Sequence, residues 1–435
     1  MNPNALRRVA IVGANRIPFA RSGGAYAQAS NHDLLTAALQ GLVDRCGLQG
    51  QRLGDVAAGA VMKHARDFNL VREVVLSTTL SPQTTAFDLQ QACGTGLEAA
   101  MLVAHKIAVG QIECGIAGGV DTTSDAPIGL NDQLRRHLLT LARARSTGQR
   151  LRALLRMRPA QWLKPDAPRI AEPRTGLSMG EHAERMAQQW GITREAQDEL
   201  ALQSHQKLAR ACDAGFFNDL MTPFLGLRED NNLRRQLSRE QLAQLKPCFD
   251  RQVAPGRGTL TPGNSTPLTD GASAVLLASP QWAAERGLSV WAHLTFCEVA
   301  AVDFFHPDPA RQEGLLMAPA YAVPRLLARA GLTLQDFDFY EIHEAFAAQV
   351  LCTLKAWEDP VFCRERLGLP APLGAIDPGR LNVVGSSLAA GHPFAATGGR
   401  IVATLAKLLK QKGSGRGLIS ICAAGGQGVV AILEK

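Results

Sequence analysis

Twice in this chain a reactive side chain is followed by a small-residue helix, a short strand and an Ala-Gly-Gly tail. The first copy runs from Cys93 to Ala117-Gly118-Gly119, the second from His392 to Ala424-Gly425-Gly426. Two copies of one α/β unit would leave such an echo. A helix rich in small apolar residues buries most of its surface, so it needs a packing partner on more than one side. The alternation around both copies therefore predicts a layered α/β fold. Apolar spacing predicts strands at Val9–Val12, Asp55–Met62, Thr85–Leu89, Cys114–Ala117, Gly271–Ala278, Phe337–Ile342, Leu381–Val384 and Gly417–Ile421. Helices are predicted at Asp33–Leu42, Asn69–Thr79, Leu97–Val109, Met179–Trp190, Arg194–Asp213, Pro319–Ala330 and Ala345–Trp357, with another that follows Gly391-His392-Pro393 and runs to Lys410. Only 5% of residues are aromatic while 41 are glycine, which suits packed α/β layers better than a β-sandwich.

The 435 residues suggest two or three domains. An N-terminal α/β domain is expected over 1–124 and 265–280, a loop domain over 125–264 and a second α/β domain over 281–435. The polar stretch Leu227–Pro247 is expected to lie on the surface. No run of apolar residues is long enough to span a bilayer, and Met1–Gly13 lacks the features of a signal peptide. Nine cysteines without a C-x-x-C pair argue against a disulfide framework or a zinc site, and for a reducing cytoplasm.

The net charge of +7 is local. Between Asn131 and Pro165, eight arginines and Lys164 face Asp132 alone, a surplus of +8 that leaves the rest of the chain at −1. Nucleic-acid binding over the whole surface is thereby excluded. Leu134, Leu138, Leu141, Leu151, Leu154 and Leu155 recur between the arginines. That predicts an amphipathic basic arm in two helical pieces around Ser146-Thr147-Gly148. It reads either as a docking or membrane-surface element over 131–165, or as a solvated face that attracts anionic substrate.

Four reactive residues fall at the seams: Cys93, His343, His392 and Cys422 all sit at strand ends or helix beginnings. Ligands of α/β folds bind there, and helix beginnings supply N–H groups for anions. A helix N-terminus also favours a thiolate at Cys93. Taken alone, Cys93 reads as a small buried hydrophobe, as most unpaired cysteines are. Gly94-Thr95-Gly96-Leu97-Glu98-Ala99 also fits a dinucleotide fingerprint, with Asp121 as its acidic residue. Neither alternative uses the two histidines and the second cysteine, whereas sulfur-based acyl transfer uses all four. His343-Glu344 is no zinc-protease motif, because Ala347 stands four residues after His343.

The motifs Ala92-Cys93-Gly94-Thr95-Gly96, Gly391-His392-Pro393 and Cys422-Ala423-Ala424-Gly425-Gly426 resemble those of the thiolase family over nearly the whole chain. Thr261-Pro262-Gly263-Asn264 and Met179-Gly180 resemble its loop-domain pieces. His343-Glu344-Ala345-Phe346 replaces the usual Asn-Glu-Ala-Phe, and with the basic arm it is most like the β-subunit of the fatty-acid-oxidation trifunctional enzyme. Val384-Gly385 replaces a Gly-Gly pair, and His182 stands where the family often has Thr.

The resemblance implies two similar αβα domains with a mostly helical insertion, and CoA-dependent cleavage of 3-oxoacyl-CoA to acetyl-CoA in β-oxidation. It implies Cys93 as nucleophile, His392 as its base and Cys422 as a second acid–base. One oxyanion hole would use the N–H groups of Cys93 and Ala424, the other His343 and His392. Met179, Asn264, Ser265, Thr266 and Phe346 are expected to contact substrate or CoA. No cofactor or metal is implied, CoA being a substrate. The expected partners are acyl-CoA, a second copy of the chain and a hydratase/dehydrogenase α-subunit. A biosynthetic acetoacetyl-CoA thiolase, a ketoacyl synthase-like condensing enzyme and a non-catalytic acyl-CoA carrier are the other readings.

Overall fold

The computed structural model describes residues 6–156, 165–169 and 171–435. Its core is a ten-stranded sheet. The main strands are β1 (Ala10–Arg16), β2 (Asp55–Ala58), β3 (Ala86–Asp88), β4 (Cys114–Asp121), β5 (Thr269–Ala278), β6 (Ala292–Ala301), β7 (Phe339–Ile342), β8 (Arg416–Ala423) and β9 (Gln427–Glu434). They lie in the order β7-β8-β9-β6-β1-β5-β4-β2-β3, with Ala20–Arg21 pairing beside β5. Each half pairs its outer strands in parallel (β3-β2-β4 and β7-β8) and its inner ones antiparallel. The halves meet at β1 and β6 through two residue pairs, Ala10 with His293 and Ile11 with Ala292.

Alternation along β5 explains the layers. Val275 and Leu277 face a cluster that includes Leu97, Val103, Ile401 and Leu405, while Ala274, Leu276 and Ala278 face Leu34, Leu39 and Val74. Both faces of the strand are covered, so it reads as one continuous apolar run. The first face meets the helices Thr95–Ala108 and Ala396–Lys412, which pack side by side with residues of both halves of the sheet. Every residue from Ala396 to Leu409 is buried. The outer face of one half carries Asn31–Cys46 and Leu70–Leu76, and that of the other Ala318–Ala330 and Ala347–Glu358. The result is the α/β/α/β/α layering expected of the family.

Between β4 and β5 lie the helices Asp132–Arg143, Thr147–Leu155, Met179–Trp190, Arg194–Asp213 and Arg239–Ala243. The basic arm forms two helices, as its leucine spacing predicts, capped by Asn131 and Ser146. Its Arg158 and Lys164 lie outside the described residues.

One sequence expectation needs correction. Leu381–Val384 is a turn that makes a single bridge from Leu381 to Tyr340. Asn382 adopts φ 46 there, and its side chain accepts the Ile342 N–H and donates to the Ile342 carbonyl, filling the place of a paired strand. Leu227–Pro247 lies largely on the surface, as expected, and is anchored by the buried Asp230, Asn232 and Leu242; Asp230 receives both terminal nitrogens of Arg16 at 2.5 and 2.7 Å. The hairpin partner β9 and the junction strand β6 were not anticipated. β6 mixes His, Thr, Cys and Glu among its apolar residues, and its place is fixed by pairing with β9 and β1.

Candidate active site

Cys93 sits in the turn between β3 and the helix Thr95–Ala108. Ala92 before it adopts φ 47, a left-handed conformation that costs a non-glycine residue about 1 kcal/mol or more. Thr95 secures the turn by accepting the Gln91 N–H and donating to the Ala92 carbonyl. His392 arrives from the other half of the sheet. Gly391 turns the chain at φ 98, where a Cβ would lie 2.4 Å from Asn232 and 2.8 Å from Thr269. The beginnings of the two central helices then touch through Gly96 and Gly398, which have no side chains to hold them apart. This brings His392 Nε2 to 3.1 Å from Cys93 Sγ.

His343 follows β7 and lies beside His392, with ring centroids 4.2 Å apart. The Cys93 sulfur and a ring nitrogen of each histidine lie within 4.8 Å of one another. Such a donor set resembles a soft-metal site, but the Cys93–His392 hydrogen bond gives the convergence an acid–base explanation. Cys422, near the end of β8, is buried and close enough to feel the charge of Cys93. The backbone N–H groups of Ala424 and of Cys93 itself point at the Cys93 sulfur. Glu344 braces the His343 loop: its carboxylate accepts from Ser204 Oγ, Asn382 Nδ2 and the Leu388 N–H.

The electrostatics differ from the thiolate expectation. Burial pushes the Cys93 thiol up to about 12; the Ala424 N–H and its own N–H offset this only in part, and Asp121 adds to it. Burial, with the Arg400 charge, holds His392 down at about 3. Cys93 and His392 therefore pair as a neutral thiol and a neutral imidazole, because burial outweighs the helix N-terminus. The Cys422 thiol is likewise held well above its usual value, by burial and then by Cys93. Burial, then His392 and Arg400, keep His343 neutral.

Cys93 opens into a cavity of about 530 Å³, lined among others by Val61, Met62, Gln91, Glu172, Phe394, Ala424 and Gln427. Of the five residues expected to contact substrate or CoA, Met179 lines it. Asn264 does not: it is buried, and its amide is fully engaged with the Thr261 N–H, Asp198 and the Thr259 carbonyl. Thr266 donates to the Ala345 carbonyl, Phe346 packs edge-on against Phe249, and Ser265 pairs with Phe346 as an isolated bridge. These residues splice the loop domain to the His343 loop instead. His182 is also buried and bonded to Thr175, away from the cavity lining.

Sequence reasoning missed the supports. Thr397 Oγ1 lies 2.6 Å from His392 Nδ1, and Ser387 Oγ 2.8 Å from His343 Nδ1. Their only signal was a hydroxyl close in sequence to His392. Asp121 is fully buried and accepts N–H bonds from Val61, Met62 and Ala395, which removes it from any dinucleotide role.

Comparison with known proteins agrees with this arrangement. The thiolase N-terminal domain family matches residues 9–281 and the thiolase C-terminal domain family residues 296–435. A 3-ketoacyl-CoA thiolase of Pectobacterium atrosepticum is 42% identical over 433 residues, covering 98% of this chain and 96% of its own. One of Yersinia pestis is 41% identical over 98% of this chain and 97% of its own. Among solved structures, the Bacillus anthracis acetyl-CoA acetyltransferase superposes with TM-score 0.80 at 30% identity, over 99% of both chains. Human mitochondrial 3-ketoacyl-CoA thiolase in complex with CoA superposes with TM-score 0.79 at 28% identity, also over 99% of both chains. With both family domains spanning the chain and a cysteine–histidine pair joined across the two halves of one sheet, the chain belongs to the thiolase family.

Proposed function

We propose that this protein is a 3-ketoacyl-CoA thiolase, an acyltransferase that cleaves 3-oxoacyl-CoA with CoA to acetyl-CoA and a shortened acyl-CoA. The observation that carries the reading is the 3.1 Å contact of His392 Nε2 with Cys93 Sγ, at the mouth of the cavity and beside a second buried thiol. His392 takes the Cys93 proton as the sulfur attacks the 3-keto carbon. With both partners neutral at rest, transfer is driven by attack rather than preceding it. The N–H groups of Cys93 and Ala424 receive the tetrahedral oxyanion. The C–C bond breaks, leaving an acyl group on Cys93 and an acetyl-CoA enolate whose oxygen faces His343 and His392. Cys422, protonated at rest, gives its proton to the enolate carbon. Its thiolate then removes the proton of the incoming CoA thiol, which attacks the acyl-enzyme. The Cys93 sulfur leaves and recovers its proton from His392.

The test is CoA-dependent loss of 3-ketoacyl-CoA enolate absorbance over a series of chain lengths, without added cofactor. Turnover that disappears in Cys93→Ala supports the reading. Acyl-CoA binding without turnover at any length would favour a carrier.

The proposed setting is β-oxidation in a reducing cytoplasm, in keeping with nine free cysteines and no helix among the described residues long and apolar enough to cross a membrane. A homodimer is proposed from the family. The basic arm is proposed to dock a hydratase/dehydrogenase α-subunit or an anionic membrane surface. It carries exposed Leu139, Leu151, Leu154 and Leu155 between its arginines. Deleting 133–164 should abolish co-purification with the α-subunit and binding to anionic vesicles while sparing turnover; retention of both would end the docking idea.

A further inference from the structure

His343 and His392 are neighbours with opposite needs. His392 must offer a lone pair to the Cys93 thiol. His343 must offer an N–H to an oxyanion. Two neutral imidazoles 4.2 Å apart can be told apart by which nitrogen carries the proton. That choice is made on the far side of each ring.

For His392 the far side is simple. Cys93, held as a thiol, donates to Nε2, so the ring proton is on Nδ1 and Thr397 Oγ1, 2.6 Å away, accepts it. For His343 a second residue enters. Ser387 Oγ lies 2.8 Å from His343 Nδ1 and also 2.9 Å from a terminal nitrogen of Arg400. Arg400 is buried and also bonds Ser386 Oγ at 3.2 Å. A guanidinium can only donate. The Ser387 oxygen therefore accepts from Arg400, and its one hydrogen is directed to His343 Nδ1. That nitrogen must then be an acceptor, and the ring proton is on Nε2. His343 Nε2 is buried without a protein partner, as expected of a donor that waits for substrate. The opposite tautomer would aim two donors at one hydroxyl, leave its hydrogen without an acceptor, and turn a lone pair toward a developing oxyanion.

We propose that Arg400 and Ser387 are positioning residues that fix His343 as its Nε2–H tautomer, making it an oxyanion donor beside a base of the other tautomer. The Arg400 charge also opposes protonation of both rings, so the donor does not become a second acid. The inference rests on the thiolase reading for its kinetic consequence, but the tautomer itself does not.

The first experiment is nitrogen-15 spectroscopy of histidine-labelled protein, the His343 signal being the one lost in His343→Asn. Protonated Nε2 and bare Nδ1 in the wild type, with a mixture or the reverse in Ser387→Ala, is the expected result. Protonated Nδ1 in the wild type overturns the proposal whether or not the protein is a thiolase. The second is a double-mutant cycle on thiolysis. Losing one oxyanion donor lowers kcat by about 10²–10³-fold, so a scrambled tautomer in Ser387→Ala should lower it about 10- to 100-fold. Ser387→Thr should restore most of it. An Asn side chain has no tautomers, so in the His343→Asn background Ser387→Ala should change kcat less than about twofold. Acylation of Cys93 by a simple acyl-CoA, which uses the other oxyanion hole, should be unchanged in Ser387→Ala. Equal losses in both backgrounds, or in both half-reactions, would make Ser387 merely structural and overturn the proposal. Absence of wild-type thiolysis would instead count against the thiolase reading, leaving the spectroscopic result to judge the tautomer.

Discussion

Gly398→Ala tests the claim that two glycines set the distance between nucleophile and base. A Cβ on Gly398 would lie 2.2 Å from the Leu97 N and 2.8 Å from the Gly96 carbonyl carbon. These are backbone atoms in the first turn of a buried helix, so no side chain can rotate away. Ordinary contact begins near 3.4 Å, so the helix beginnings must part by about 1.2 Å. Overpacking of this kind costs about 1–3 kcal/mol of stability. The larger effect falls on the site. His392 and Cys93 are carried by these two helix beginnings, and a separation added to their 3.1 Å contact takes it beyond hydrogen-bond reach. A misplacement near 1 Å costs about 10²-fold in rate. The assay is thiolysis kcat/KM, alongside thermal unfolding to show that the variant is folded at the assay temperature. Wild-type kcat/KM in a folded Gly398→Ala would refute the reasoning, because the contact could then be relaxed without moving the pair.

Thr397→Val keeps the shape of a fully buried side chain but leaves His392 Nδ1–H without its acceptor. An orphaned buried donor costs about 1–3 kcal/mol, so kcat/KM should fall about 10- to 100-fold, and Thr397→Ser should recover it. Asp121→Asn leaves one oxygen where a carboxylate now accepts Val61 and Met62 on one side and Ala395 on the other. At least one N–H loses its partner, and thermal unfolding should show a loss of about 1–3 kcal/mol. His182 and His205 are held at about 4 and His392 at about 3, chiefly by burial. Each is depressed in the fold, so the unfolded chain binds protons that the folded chain refuses once pH falls below about 6.5. The stability these three histidines contribute is thus complete above that pH and declines below it, by up to about 1.4 kcal/mol per pH unit for each group until its folded value is reached, while the raised carboxylates Asp121 and Glu341 act in the opposite sense. Urea unfolding of wild type and His205→Asn, away from the site, from pH 8 to 4 checks the sign: the difference in stability between them should shift in favour of the variant as pH falls below about 6.5.

The layers were legible because their signal is local. β5 reads as a buried strand from its own apolar run, and Met179–Trp190 and Arg194–Asp213 end where their caps and glycines say they do. Cys93, His343, His392 and Cys422 could be singled out because reactive side chains at strand ends announce themselves in the sequence. Turns that borrow their hydrogen bonds from elsewhere were not legible: Asn382 completes the edge of β7 with a side chain, which no pattern of apolar residues records. The place of Asn264 was equally hidden, since one of the bonds that holds its amide goes to Asp198, 66 residues away in the chain.

What the sequence determined by itself is the kind of protein and the identity of its reactive groups, since periodicity, caps and motif chemistry act over a few residues. The tertiary structure decided which atoms face one another. Residues 299 positions apart meet at 3.1 Å only because two glycines let two helices touch. Which of two adjacent imidazoles donates and which accepts was decided by Thr397, and by Ser387 under Arg400. The protonation state of Cys93 was decided by burial against the N–H groups of its helix. Distance, desolvation and hydrogen-bond direction are properties of pairs of groups, and the pairs exist only once the chain has folded.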